Sequence, residues 1–241
     1  TVSSGSSLEI TNSGALGTAV NSNLASLVLN GAFYYNNATA GTIPHAMTLG
    51  GGTLSAAGNG QTYSGAINLS ADSKVNMRDS NSATLTATQR NITLSGVLSG
   101  AGKMTVDSIN TVSSGNQITG TLVLSAANPS WTGGMNLLRG TVDLRQESSI
   151  GTGAVRVEAG RFLFKGATNT TWNQFANGLT VDAASGTAIV ELQSDNQGTT
   201  GLFTTDFTGQ VNLGGGGVSS AILRLYQADS ISNLTIDGNI I

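Results

Sequence analysis

Between Gly120 and Leu144 the chain states one short phrase twice, Gly120-Thr121-Leu122-Val123-Leu124 and Gly140-Thr141-Val142-Asp143-Leu144, with turn residues between the copies. Leu122 and Leu124 alternate with Thr121 and Val123, the period of two that marks a strand with one buried face. Asn128-Pro129 and Gly133-Gly134 punctuate the interval as turns. Nothing in the stretch has helical spacing. A unit that returns to its own pattern after about twenty residues cannot bury its apolar face alone, and stacking copies solves that. This one feature restricts the chain to a β-solenoid or to a many-stranded sandwich.

Short alternating runs recur from Leu8-Ile10 to Asn233-Ile236, among them Leu27-Leu29, Ala83-Leu85, Ile92-Ser95, Thr141-Leu144 and Ile222-Tyr226. At roughly 20 to 25 residues per coil, 241 residues give on the order of ten rungs. Hairpin dipeptides such as Asn59-Gly60 and Asp237-Gly238 are few and the runs around them are short. The sequence therefore predicts an all-β, right-handed parallel β-helix in a single continuous domain over 1–241, with an antiparallel β-sandwich as the alternative fold. Gly50 to Gly52 and Gly214 to Gly217 read as tight corners or irregular loops, and Phe33 to Asn37 is an odd patch in the rhythm. Thr168 to Gly178 reads as a protruding loop or single helical turn.

Composition agrees. Charged residues are 10% and 33 residues are Gly, against about 25% charged and about 7% Gly in an ordinary domain. Apolar residues are 39%, and in alternating runs they argue against disorder. The many tight turns of a solenoid account for the Gly, Asn and Ser.

The stretch from Gly120 to Thr141 resembles the autotransporter-associated β-strand repeat. Gly120, Thr121, Leu122, Leu124, Ser125, Asn128, Gly133, Gly134, Gly140 and Thr141 fit its pattern. Ala126 stands where that repeat has Gly, Trp131 near its Tyr, and Met135 at its Thr. Ser149 to Val155 with Gly160-Arg161-Phe162 resembles the run that follows it, and Gly14 to Val20 resembles another copy. The resemblance implies a passenger-like β-helix, secreted or at a bacterial cell surface, working as a stalk or adhesin scaffold. In it Trp131 packs the coil. Thr1 and Ile241 read as cuts inside a longer protein or as processed ends.

Several chemistries lack their residues. The net charge is −3 and the ten Lys and Arg are scattered, so nucleic-acid binding, which needs clustered cations, is not expected. No apolar stretch approaches the length of a membrane-spanning helix. There is no Cys and one His, His45, which removes thiol catalysis and leaves no set of N or S ligands for zinc. His45 reads as a turn or surface residue. Gly100-Ala101-Gly102-Lys103 has the wrong spacing for a phosphate loop. No calcium nonapeptide occurs. No cofactor, metal or catalytic residue is expected.

Two other functions remain open. The first is end-to-end or lateral self-association into an extracellular filament or sheath, since open terminal rungs are templates for pairing and neither end carries an evident cap. The second is polysaccharide binding or cleavage. Cleavage would draw on Asp143, Arg145, Glu147, Arg156, Glu158 and Arg161 if they stack on one face, although ion pairing between strands explains them as well. Binding would use aromatic rings, with Tyr34, Tyr35 and Trp172 as the glycan or partner contacts. Asn-x-Ser/Thr occurs at Asn37, Asn68, Asn91, Asn169 and Asn233, as chance allows in such a composition.

Overall fold

Leu122 and Leu124 point one way and Thr121 and Val123 the other, and the strand they form pairs in parallel with copies of itself before and after it in sequence. The structure, a computed structural model, describes residues 1–16, 26–36, 39–56, 60–77, 91–108, 120–165, 170–182, 187–195, 203–214, 220–227 and 232–241. The expected strand at Ala83–Leu85, Gly17 to Val20, Gly215 to Gly217, Asn37 and Asn169 lie outside the described residues.

The strands form three faces. Face 1 is a nine-stranded sheet running from Ser7–Ile10 to Val211–Leu213. Face 2 is an eight-stranded sheet from Thr42–Ile43 to Ser220–Gln227. Face 3 holds a four-stranded sheet, Leu27–Leu29 to Leu98–Ser99, and a three-stranded sheet, Thr170–Phe175 to Ser232–Ile236. The chain visits the faces in the order 3, 1, 2 on each turn. Leu27–Leu29, Ala32–Tyr35 and Thr42–Ile43 make one such turn, and Met47–Gly50, Thr53–Ala56 and Gln61–Tyr63 make the next. Among the described residues every strand pairing joins strands one turn apart, in parallel, so this is a parallel β-helix and not a sandwich of hairpins. Nine strands on face 1, with Ile240 bridged to Val211 above the last, give ten turns among the described residues.

Register turns alternation into columns. On face 1 Leu8, Phe33, Leu54, Val75, Val106, Leu137, Val157, Val181 and Leu213 stand one above another. All of them are buried except the two end members, which are partly covered. On face 2 Ile43, Tyr63, Leu94, Leu124, Leu144 and Phe164 form a second column. Each side chain touches its equivalents one rung away, so each column is a continuous seam of apolar contact.

The expected coil length needs correction. Leu137 and Val157 are 20 residues apart, but Val75 and Val106 are 31 apart and Val181 and Leu213 are 32 apart. Residues inserted at corners, between faces, leave the column undisturbed. Thr168 to Gly178 is also corrected. Thr170–Phe175 is a strand of face 3, paired with Phe203–Phe207 across a register shift between Trp172 and Phe175. Phe33 to Tyr35 belongs to a regular face 1 strand, Ala32–Tyr35.

The coil widens toward its C-terminal end. Face 2 strands have four residues at Thr141–Leu144, seven at Ala159–Lys165 and nine at Thr187–Asp195. A wider section needs bulkier filling, and here Phe162 and Phe164 of face 2 and Phe175 and Phe207 of face 3 supply it, all fully buried. Phe175 stacks on Phe207 at 4.5 Å between ring centres and meets Phe162 and Phe164 edge-on at 5.2 and 5.6 Å, geometries that aromatic quadrupoles favour.

The corner between faces 3 and 1 sets a steric limit. There the backbone of each turn lies directly on the turn before it, and a Cβ on Gly133 would come within 1.9 Å of the Gly102 carbonyl oxygen. Gly133→Ala is expected to lower stability by about 2 kcal/mol or more. Gly178→Ala, whose Cβ would meet nothing nearer than the Gln210 oxygen at 3.6 Å, is expected to stay within about 0.5 kcal/mol. Urea unfolding of the two variants checks the contrast, and equal losses would mean that the corners do not stack as described.

Candidate functional site

The side chains that carry charge form columns like those of the core, and the columns decide what they can do. Arg161, Glu191 and Arg224 occupy one register position on three successive strands of face 2. Arg161 donates from Nε and Nη2 to Glu191 Oε2 at 3.0 and 2.7 Å, and Arg224 Nη1 donates to Oε1 at 3.2 Å. The hydrogen bonds from Arg161, reinforced by Arg224, hold the Glu191 carboxyl below its ordinary range. Asp143, 2% exposed, is paired with Arg145, just past the end of its strand, at 3.0 Å and with Lys165 from the next turn at 3.4 Å. On face 1 Asp107 sits between Lys74, at 3.0 Å, and Arg139, at 3.5 Å. Arg156 joins Glu158 at 2.7 Å and Asp182 at 3.5 Å.

In each of these groups the carboxylate faces a cation. Glu191 is held ionised with both oxygens occupied, which is poor preparation for giving up a proton as a general acid. The six residues Asp143, Arg145, Glu147, Arg156, Glu158 and Arg161 do not stack on one face. Asp143 and Arg161 lie on face 2, Arg156 lies on face 1, Glu158 lies between the strands of the two, and Arg145 and Glu147 follow a face 2 strand. The expected ion pairing between strands is what the structure shows, as in Arg156 with Asp182, Arg161 with Glu191 and Lys165 with Asp143. Among the described residues no group of three or more His, Cys, Asp and Glu side chains is placed to hold a metal ion.

The aromatic candidates separate. Tyr35 is fully buried and Trp172 is 7% exposed, so neither presents a face to a glycan. The reason is parity: Phe33 and Tyr35 point inward from the Ala32–Tyr35 strand, which leaves Tyr34 outward and half-buried. Trp172 belongs to the strand that replaces the expected loop. Only Tyr34 of the three remains at a surface.

The repeat-motif residues occupy structural positions. Leu122 and Leu124 are buried in the face 2 columns, and Thr121 pairs with Thr141 on the strand above. The Gly120 carbonyl accepts from Thr141 N at 3.1 Å, and Ser125 N donates to the Leu94 oxygen at 3.2 Å. Gly134 and Gly140 turn the chain with φ of 78° and 114°. Asn128 and Trp131 do more. They lie where face 3 has no regular strand, between its two sheets, with the Gly100–Trp131 bridge spanning part of the gap. Asn128, 1% exposed, accepts from Leu98 N through Oδ1 and donates from Nδ2 to the Ser149 oxygen, both at 2.7 Å. One side chain thus ties the turn below to the turn above. Trp131, fully buried, donates from Nε1 to the Gly102 oxygen at 3.0 Å. Asn177 donates to the Gly153 oxygen from the far side of the gap.

His45 departs from expectation in part. It follows Pro44 at a corner and is half-buried, and both ring nitrogens are out of contact with water and without a hydrogen-bond partner. The inter-rung pairs of Asp107 and Glu191 were not foreseen, because their partners stand about thirty positions away and only register reveals them.

No protein-family model matches the chain, and neither does any curated protein or solved structure.

Asn128→Ala leaves Leu98 N–H and Ser149 C=O without these partners inside the coil. A loss of about 3 kcal/mol is expected, and Asn128→Asp, which cannot donate to Ser149, should lose a comparable amount at neutral pH. Thermal or urea unfolding measures both. Because the folded pKa of Glu191 is lowered, its contribution is present above the unfolded value of about 4.3 and fades as pH falls through the folded value. Glu191→Gln should therefore cost a few tenths of a kcal/mol at pH 7, as exposed pairs do, and the cost should shrink as the pH is lowered below the ordinary carboxylate range and vanish below the folded value. Urea midpoints across that pH range give the comparison.

Proposed function

We propose that this chain is a non-catalytic, load-transmitting spacer: a β-helical segment of a secreted or cell-surface bacterial protein that holds other parts at a fixed distance. The observation behind the reading is the face 1 column, unbroken in register from Leu8 to Leu213. A seam of that kind resists bending because each rung is bonded to both neighbours, and in such arrays stability builds from nearest-neighbour terms. Ten rungs at about 4.8 Å make a rod on the order of 45 Å long. Placement outside a bacterial cell, as in an autotransporter-type passenger stalk or adhesin, rests on the motif resemblance around Gly120 to Thr141 and on the absence of Cys.

End-to-end assembly into a filament is the second reading, and the unequal ends speak to it. At one end Leu225, Ile240 and Ile241 are 52, 53 and 61% exposed. At the other Val2 and Ile10 are 7 and 6% exposed, and Leu16 of the short 3-10 turn Ser13–Leu16 packs on the core. Both ends were expected to be open and uncapped; among the described residues inward side chains at the C-terminal end are exposed and those at the N-terminal end are covered. The spacer reading is preferred because it rests on the column running through the described turns and on neither terminus.

A spacer is defined by its length, not by the identity of any one rung. Met135 pairs with Val155 and Thr141 with Arg161, each twenty positions on, so deleting 135–154 removes one whole turn and rejoins the columns. The deletion also removes Ser149, the acceptor of the buried Asn128 amide, so the shortened chain is expected to fold with a loss of about 1 to 3 kcal/mol and to be shorter by about 5 Å, as small-angle scattering would measure. If it fails to fold, or folds without shortening, interchangeable rungs are not the basis of the protein's role.

A further inference from the structure

A shallow groove of about 400 Å³ crosses the first three turns at the corner between faces 3 and 1. It is lined by hydroxyl side chains at Ser4, Ser7 and Thr53, by the Asn30 amide and by the ring of Tyr34. The N-terminal turn forms one wall. Val2 O accepts from Asn30 N and Gly31 N, and Ser6 O accepts from Ala32 N, at 2.9 to 3.1 Å, so that wall is fixed to the coil. The floor is kept low at Gly51, which has φ of 97° and nothing within 3.9 Å of a would-be Cβ. A side chain there would be strained and would fill the groove.

We propose that this groove binds a neutral oligosaccharide, with Tyr34 as the stacking platform. Three observations favour that chemistry. The lining has hydroxyl, amide and peptide groups and no charged side chain, which suits a polyol rather than an ion. One aromatic ring stands among them, apolar on its face and polar at its tip, the combination that small-ligand sites use to orient a partly apolar molecule. The exposed Glu9 carboxylate lies beside Tyr34 in register and is held by Asn36 Nδ2 at 2.6 Å, so an acidic sugar would be repelled. The groove extends over two rung spacings, about 10 Å, the reach of a disaccharide. This site is independent of the spacer role.

The test is saturation-transfer NMR with cellobiose, maltose, lactose and N,N′-diacetylchitobiose against sialyllactose as the acidic probe, followed by titration of the strongest binder. At least one neutral disaccharide should bind. Tyr34→Ala should weaken it about tenfold, and Thr53→Gln, which fills the groove from an outward position without touching the core, should weaken it similarly. Thr53→Gln decides the matter if Tyr34→Ala does not fold. Tyr226→Ala, which removes an exposed ring at the opposite end of the coil, should leave binding unchanged. The proposal is overturned if none of the four neutral sugars binds, if sialyllactose binds more tightly, if binding survives both groove substitutions in folded protein, or if Tyr226→Ala abolishes it.

Discussion

The rung spacing imposed by parallel backbone hydrogen bonding governs the rest of this structure. Strands paired in this way lie about 4.8 Å apart, close to the contact distance of the side chains they carry. Whatever occupies a position on one rung must therefore tolerate its equivalent on the next. Leu, Val, Ile and Phe tolerate one another and gain contact on both sides, which builds the columns from Leu8 to Leu213 and from Ile43 to Phe164. Backbone on backbone at a corner tolerates no Cβ, which is the reason for Gly133 over Gly102. Like charges do not tolerate each other, so Glu191 stands between two arginines and Asp107 between a lysine and an arginine.

The same spacing makes sense of a composition with few charges. A column of ionised side chains must alternate in sign along the axis, and each member then depends on residues about thirty positions away. Thr, Ser and Asn carry no such requirement. They can repeat from rung to rung on the outside, as Asn91, Thr121 and Thr141 do before the column changes to Arg161, Glu191 and Arg224. The column of Arg161, Glu191 and Arg224 lies where the face 2 strands lengthen to seven residues and more, so the wide end carries these ion pairs together with the phenylalanine core.

What the sequence revealed and what it concealed divide along one line. Alternation is local, so Leu122, Leu124 and their copies could be read as inward-facing residues of stacked strands, and parallel pairing followed from the scarcity of hairpin turns. The tenfold stacking was legible for the same reason. Register is not local. Insertions at the corners change the interval from 20 to 32 residues without moving a column, so no fixed period predicts which residues meet. Tyr34 and Tyr35 look equivalent in sequence, and only the parity of their strand sends one ring into the core. Trp172 looked free because the register shift between Trp172 and Phe175 breaks the local alternation by which a strand is recognised.

The resemblance around Gly120 to Thr141 acquires a physical meaning from the place where it falls. Over the sixth and seventh turns face 3 has no regular strands, so the backbone ladder that holds the other faces is incomplete there. Asn128 and Trp131 supply bonds at that place, from side chain to backbone, and Asn128 reaches both the turn below and the turn above. A solenoid held by backbone ladders couples each rung to its neighbours by bonds that any sequence can make. One held by a buried amide depends on a particular residue at a particular position. Asn128 and the buried indole of Trp131 are then what this coil uses where face 3 loses its regular strands, a structural need that involves no ligand.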